Sequence, residues 1–239
     1  MIEKGYEASE EALRVALKSG DIYSKAIAFS MHGLSLYFKG QTDDAVFHFL
    51  KGIDLNNKIN FSFTNAEAHF YLANIYYDNL DFDNAEINLT KAIKHFQRIE
   101  CLPSKVRLCE LQIFLTRLCK NQNIYEFDSV LSEAKKNKLK VYEGWTCRTV
   151  SEILAHVTGG NFEEAEVWIK KAIELDESTG NKWSLARNYM VYAKILAQKG
   201  YKAEAKEQHE KAESIFNSCG ADGWIARLYD RNIFRIKYK

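Results

Sequence analysis

The sequence predicts an all-α protein, a right-handed α-solenoid of stacked helix pairs. Three observations carry that reading. Small residues return at a fixed step, Ala12, Gly52, Ala92, Ala134, Ala172 and Ala212, spaced 40, 40, 42, 38 and 40 apart. A second series, Ala45, Ala85, Phe127, Ala165 and Ala205, keeps step with it. Only one proline occurs in 239 residues, and proline breaks helix interiors. Fixed-period self-similarity marks an array in which each unit buries its apolar face against its neighbours.

Each unit divides into a helix A and a helix B. The first segment, residues 5–19, reads as a helix B without its helix A, because Ala12 matches Ala172 and Gly20-Asp21 matches Gly180-Asn181. Five pairs then run from about Ser24 to Gly220. In the second unit, Thr64-Asn65-Ala66-Glu67 has the form of a capping box, and the apolar spacing of Phe70, Leu72, Ala73, Ile75 and Tyr76 is helical. Asn79-Leu80-Asp81 breaks it, and helix B begins near Phe82. Pro103 falls near a helix start, where its missing N–H costs nothing.

In the fourth unit, helix A is expected over 143–157, Gly159-Gly160 turns the chain, and Asn161 with Glu164 caps helix B to about Ser178. The fifth unit runs from Trp183 to Gln198, turns at Gly200 and resumes to Phe216. Residues 223–238 read as one capping helix, which makes twelve helices in a single domain over 1–239. The third unit, with Phe127 in place of a small residue, is the least regular. Small residues let paired helices approach, and large ones such as Tyr76, Leu89 and Phe96 fill the grooves between them.

Composition narrows the function classes. With 33 basic and 32 acidic residues the net charge is +1, which argues against a nucleic-acid partner, since that affinity rests on clustered cations. There is no signal-peptide core and no apolar run of membrane-spanning length, so neither export nor a membrane partner is expected. The five cysteines, Cys101, Cys109, Cys119, Cys147 and Cys219, are odd in number and form no Cys-x-x-Cys pair, which fits reduced thiols and a cytoplasmic location.

Phosphate-loop and dinucleotide motifs are absent. The six histidines lie on different helices without ligand spacing, so no metal and no cofactor is expected. No base is visible beside a cysteine, and an enzyme is not expected. Lys135-Lys136-Asn137-Lys138-Leu139-Lys140 reads as a solvated helix end. Arg227, Arg231 and Arg235 make one stripe on the last helix, suited to a partner or to the polar outer face of a capping helix.

The residues Phe29, Gly33, Gly40, Ala45, Phe49 and Gly52, with Leu72, Ala73, Tyr76, Ala85, Leu89 and Ala92, resemble the tetratricopeptide repeat; Tyr189, Ala193, Gly200, Ala205 and Ala212 repeat the pattern. The step of 40, longer than that repeat's usual 34, and the Gly-Asp or Gly-Asn closures are similar to the sensor arrays of signalling ATPases of the maltose-regulon-activator type, adenylate cyclases and histidine kinases. Such arrays sense a ligand or partner for a separate module, so the resemblance implies a segment of a longer protein.

It also implies that helix A lines the concave surface. The positions in that register are Tyr37, Phe38, Glu67, Phe70, Asn74, Tyr77, Asp78, Gln112, Arg148, Arg187 and Lys194, with Cys109, Thr116 and Gln198. Exposed aromatics beside polar groups suit a peptide or protein segment. The carboxylate clamp of chaperone-binding members needs a Lys where Phe70 stands, so chaperone-tail binding is not expected. The leading expectation is a non-enzymatic interaction or regulatory module binding a protein or peptide partner. The alternatives are a small-molecule sensor and a homo-oligomer built through the terminal helices.

Overall fold

The computed structural model describes residues 2–100, 102–122, 132, 140–157 and 160–229. Among these the chain forms eleven helices: α1 (Ile2–Ser19), α2 (Ile22–Lys39), α3 (Thr42–Lys58), α4 (Ser62–Asp78), α5 (Phe82–Arg98), α6 (Pro103–Cys119), α7 (Lys140–His156), α8 (Phe162–Thr179), α9 (Lys182–Gln198), α10 (Lys202–Cys219) and α11 (Asp222–Leu228). No strand occurs among the described residues. Helices α2, α4, α6, α7, α9 and α11 are the A helices; α1, α3, α5, α8 and α10 are the B helices. The chain is an all-α solenoid of helix pairs. The partner of α6, with Phe127, Ala134 and the lysine run up to Leu139, lies outside the described residues, as do Gly159, Arg231, Arg235 and the rest of the capping helix; Lys140 opens α7.

The small-residue series is explained at the pair contacts. Ala45, Ala85, Ala92, Ala165, Ala172 and Ala212 are fully buried. A Cβ on Gly52 would lie 2.4 Å from Ser30 Oγ, so α2 and α3 meet where no side chain fits. The turns follow a shorter rule than the 40-residue step. A residue with left-handed backbone ends a helix at Gly20, Gly40, Asn60, Leu80, Glu100, Asn121, Gly160, Gly180, Gly200 and Gly220. The next N–H then closes the turn on a carbonyl five residues back, as from Gln41 to Leu36, Asp81 to Tyr76 and Ala221 to Phe216 (3.0, 2.9 and 3.0 Å). Such a closure satisfies carbonyls that a helix end leaves open.

Start signals are mixed. Asp21, Asp81, Asn161 and Asn181 each accept a backbone N–H three residues on, the expected N-cap geometry. Pro103 opens α6. The capping box expected at Thr64 does not form. Helix α4 begins two residues earlier, at Ser62, and its N-cap, Phe61, makes no side-chain bond. Thr64 instead donates to Asn56 Oδ1 on α3 (2.7 Å), and Glu67 pairs with Lys105 on α6. Tertiary partners outcompete the local cap.

The array closes on itself. The main core cluster joins Leu36, Tyr37 and Phe70 near the start of the chain to Trp183, Phe216 and Trp224 near its end. Trp224 Nε1 donates to Tyr37 O (2.9 Å). Arg227 Nη2 donates to Thr42 Oγ1 and Asn79 Oδ1 (2.6 and 3.0 Å). Gly40 and Gly223 meet backbone to backbone, since a Cβ on Gly40 would fall 2.5 Å from Gly223 C. Only glycine permits that approach. The concave side of the solenoid is therefore an enclosed axis rather than an open trough.

Candidate functional site: the axial channel

Helix A faces the axis in every described unit, and the axis has two layers. The first is aromatic. Tyr37 stands 5.2 Å from Tyr71, 5.3 Å from Trp183 and 5.6 Å from Trp224, measured between ring centres. Trp145 lies 5.1 Å from Phe70 and 6.1 Å from Trp183. Offset and edge-on arrangements at these separations are favourable. Lys105 is buried inside this layer, paired with Glu67 and 4.5 Å from the centre of the Phe70 ring. Burial lowers its pKa and Glu67 opposes that shift.

The second layer is polar and encloses two cavities of about 20 Å³ each, room for roughly one water apiece. Asn74, Tyr77, Gln112, Arg148, Glu152 and Arg187 line the first. Tyr77, Asp78, Glu152, Arg187, Lys194 and Arg227 line the second, with Trp224. Tyr77, Glu152 and Arg187 are common to both, so the cavities adjoin, and together they make up the axial channel. Arg187 grips Asp78 with two bonds of 3.0 and 2.7 Å, a geometry matched to the planar guanidinium. Asn74 Oδ1 accepts from Gln112 Nε2 (2.8 Å). Arg148 Nη1 reaches Asn188 Oδ1 (2.7 Å), and Asn188 Nδ2 in turn donates to Asp176 (2.7 Å). Burial lowers Arg148 to about 10 and raises Glu152.

Seven of the eleven residues expected from register line this channel: Asn74, Tyr77, Asp78, Gln112, Arg148, Arg187 and Lys194. Four do not. Tyr37 and Phe70 are fully buried in the aromatic layer, Glu67 is committed to Lys105, and Phe38 borders a separate surface cleft of about 340 Å³ beside Trp183 and Ile2. The expectation of exposed aromatics thus fails at Tyr37, because closure of the array covers it. The sequence reading missed Trp145, Glu152, Trp224 and Arg227. The first two lie on α7 in helix-A register and were legible. Arg227, expected on a stripe suited to a partner or to a polar outer face, instead turns inward.

A thiol–imidazole pair also escaped the sequence reading. Cys119 Sγ lies 3.5 Å from His156 Nε2. His156 Nδ1 sits 2.7 Å from Glu152 O, and a carbonyl only accepts, so Nδ1 carries the proton and Nε2 takes the Cys119 S–H. Tyr77 completes the cluster, its Oη 3.7 Å from Sγ. Burial holds the thiol near 12 and the imidazole near 4, so the proton stays on sulfur at neutral pH. An activated thiolate needs the opposite shifts. Among the described residues no group of three metal-ligating side chains occurs, and no helix is long and apolar enough to cross a membrane.

A tetratricopeptide repeat model matches residues 154–179, which span the end of α7 and the whole of α8. Among solved structures the chain is similar to a Rap protein complexed with competence and sporulation factor, with a TM-score of 0.61 and 16% identity over 90% of the chain. The likeness is one of fold, an all-α array of helix pairs, with the repeat model matching one stretch of it. The chain spans 57% of that Rap chain's length. No curated protein sequence matches the array.

Proposed function

We propose that this array is a non-enzymatic regulatory module that captures a peptide or protein segment on the axis lined by its A helices. The observation that carries this reading is convergence. Seven polar side chains from α4, α6, α7 and α9 meet at one channel, while the facing aromatics supply apolar contact area. The similar Rap structure holds a factor, which supports a regulatory interaction role for this fold. With cavities of about 20 Å³, a bound segment needs the helices around the axis to part, and α11 walls the second cavity.

Peptide display against the whole chain, followed by binding of the recovered peptides, tests the reading. Asn74→Ala or Tyr77→Ala weakens binding at least about tenfold, the scale of a lost hot-spot contact. Ile87→Ser, on the exposed side of α5, leaves it unchanged. Equal binding by all three variants overturns the axial assignment. The enclosed form of the cavities favours a second reading, a small-molecule sensor. A ligand screen by thermal shift decides it, since a molecule bound only by the folded state raises the melting temperature.

A further inference from the structure

The channel holds more positive than negative charge. Arg148, Arg187, Lys194 and Arg227 line it against Asp78 and Glu152. Asp78 takes up Arg187, and the Glu152 carboxyl is shared among Lys194, Arg148 and Arg187. Arg148 also faces Asp176 but has no carboxylate bonded to it, and neither has Arg227. Arg148 is 2% exposed, and its Nη1 donates only to Ser184 O, Ser184 Oγ and Asn188 Oδ1, at 3.4, 3.0 and 2.7 Å. Asp176 stands behind Asn188 and accepts from that amide. Arg227 Nη2 donates only to Thr42 Oγ1 and Asn79 Oδ1. Every acceptor is neutral.

Idle donors lie in the channel and beside it. Arg227 Nη1, on the wall of the second cavity, is buried without a hydrogen-bond partner, and so is Tyr37 Oη in the adjoining aromatic layer; Tyr37 lies in the field of Arg148, Arg187 and Arg227. A buried cation with no carboxylate bonded to it is costly, as is a buried donor without an acceptor. Both deficits have one remedy, an oxyanion brought in from outside. Polar groups on the first cavity's wall, Gln112 Oε1 among them unpartnered, stand ready for the ligand's own N–H groups.

We propose that the axial channel is a receptor for a carboxylate carried by the bound ligand, with Arg148 as its principal counter-charge and Arg227 as a second. This rests on the axial reading above and names the chemistry of its ligand. Because Arg227 and Trp224 wall the second cavity and also hold α11 against α2 and α4, the residues that meet the anion are those that close the array.

The test is thermal denaturation of the whole chain at pH 7. The titrants are succinate, an N-acetylated and C-amidated hexapeptide of alternating Asp and Ala, and inorganic phosphate, each against sodium chloride at equal ionic strength. A carboxylate arm raises the wild-type melting temperature saturably. A response to succinate alone assigns a small free acid, and a response to the peptide alone assigns an acidic segment. Arg148→Gln loses the shift. Arg227→Gln, at a half-buried position, weakens the apparent affinity about tenfold and decides the matter should Arg148→Gln not fold. No carboxylate response beyond chloride overturns the proposal, as does a response that both variants keep. Display-selected peptides that need Asn74 and Tyr77 but neither arginine overturn it too, and leave the axial reading standing.

Discussion

At the scale of single residues, the chain shows what burial does to titrating groups. His69 and His156 are both held near 4 by desolvation; Asn88 and the Glu152 carbonyl accept from them and oppose the shift only in part. An unfolded histidine titrates near 6.5. As pH falls from about 6.5 toward 4, the unfolded chain takes up protons that the folded chain refuses, so stability drops over that window. Urea denaturation at pH 7, 5.5 and 4.5 is expected to show this fall, with a shallower slope in His156→Gln. A flat profile contradicts the assignment. Backbone strain gives a second prediction. Glu100 is exposed with φ at 50°, a conformation that costs a residue with a Cβ about 1 kcal/mol. Glu100→Gly is expected to raise the unfolding free energy by about 0.5–1 kcal/mol, measured by chemical denaturation.

At the scale of the helix, most of the architecture was legible in the sequence. The small residues marked the pair contacts, and residues such as Ala92 and Ala172 are fully buried there. Ala172→Leu forces a larger side chain between α7 and α8 and is expected to destabilise by about 1–3 kcal/mol or more; the same change at exposed Ala8 does not. The N-cap at Asn161 was read from the sequence, because the bonded N–H lies three residues away; Asp21, Asp81 and Asn181 cap by the same rule but stood in the sequence only as breaks between helices. Thr64-Asn65-Ala66-Glu67 misled because that motif reports only local options, while Asn56 and Lys105 offered those side chains better partners. The left-handed turns at Leu80 and Glu100 were hidden too. Neither residue advertises positive φ, and their places follow from the 20-residue spacing of their glycine counterparts.

At the scale of the whole molecule, register identified seven channel residues but not the channel. The period says which face points inward; it does not say how far the array curves. Closure depends on contacts such as Trp224 with Tyr37, 187 residues apart, and no local pattern encodes that distance. The same gap hid Cys119 beside His156, 37 residues away on the next A helix. Trp224→Ala removes a nearly fully buried indole and its bond to Tyr37. It is expected to cost about 3–5 kcal/mol and to enlarge the radius of gyration in solution scattering by releasing α11; an unchanged radius contradicts the closure role.

The central claim is that the ligand meets the A helices along the axis. Hydrogen–deuterium exchange of the whole chain, with and without a display-selected peptide, tests it most directly. The account predicts that added protection concentrates in α4, α6, α7 and α9, with changed exchange in α11, and leaves α3, α5, α8 and α10 as they were. Protection concentrated on the B helices, with the axis unaffected, would contradict it.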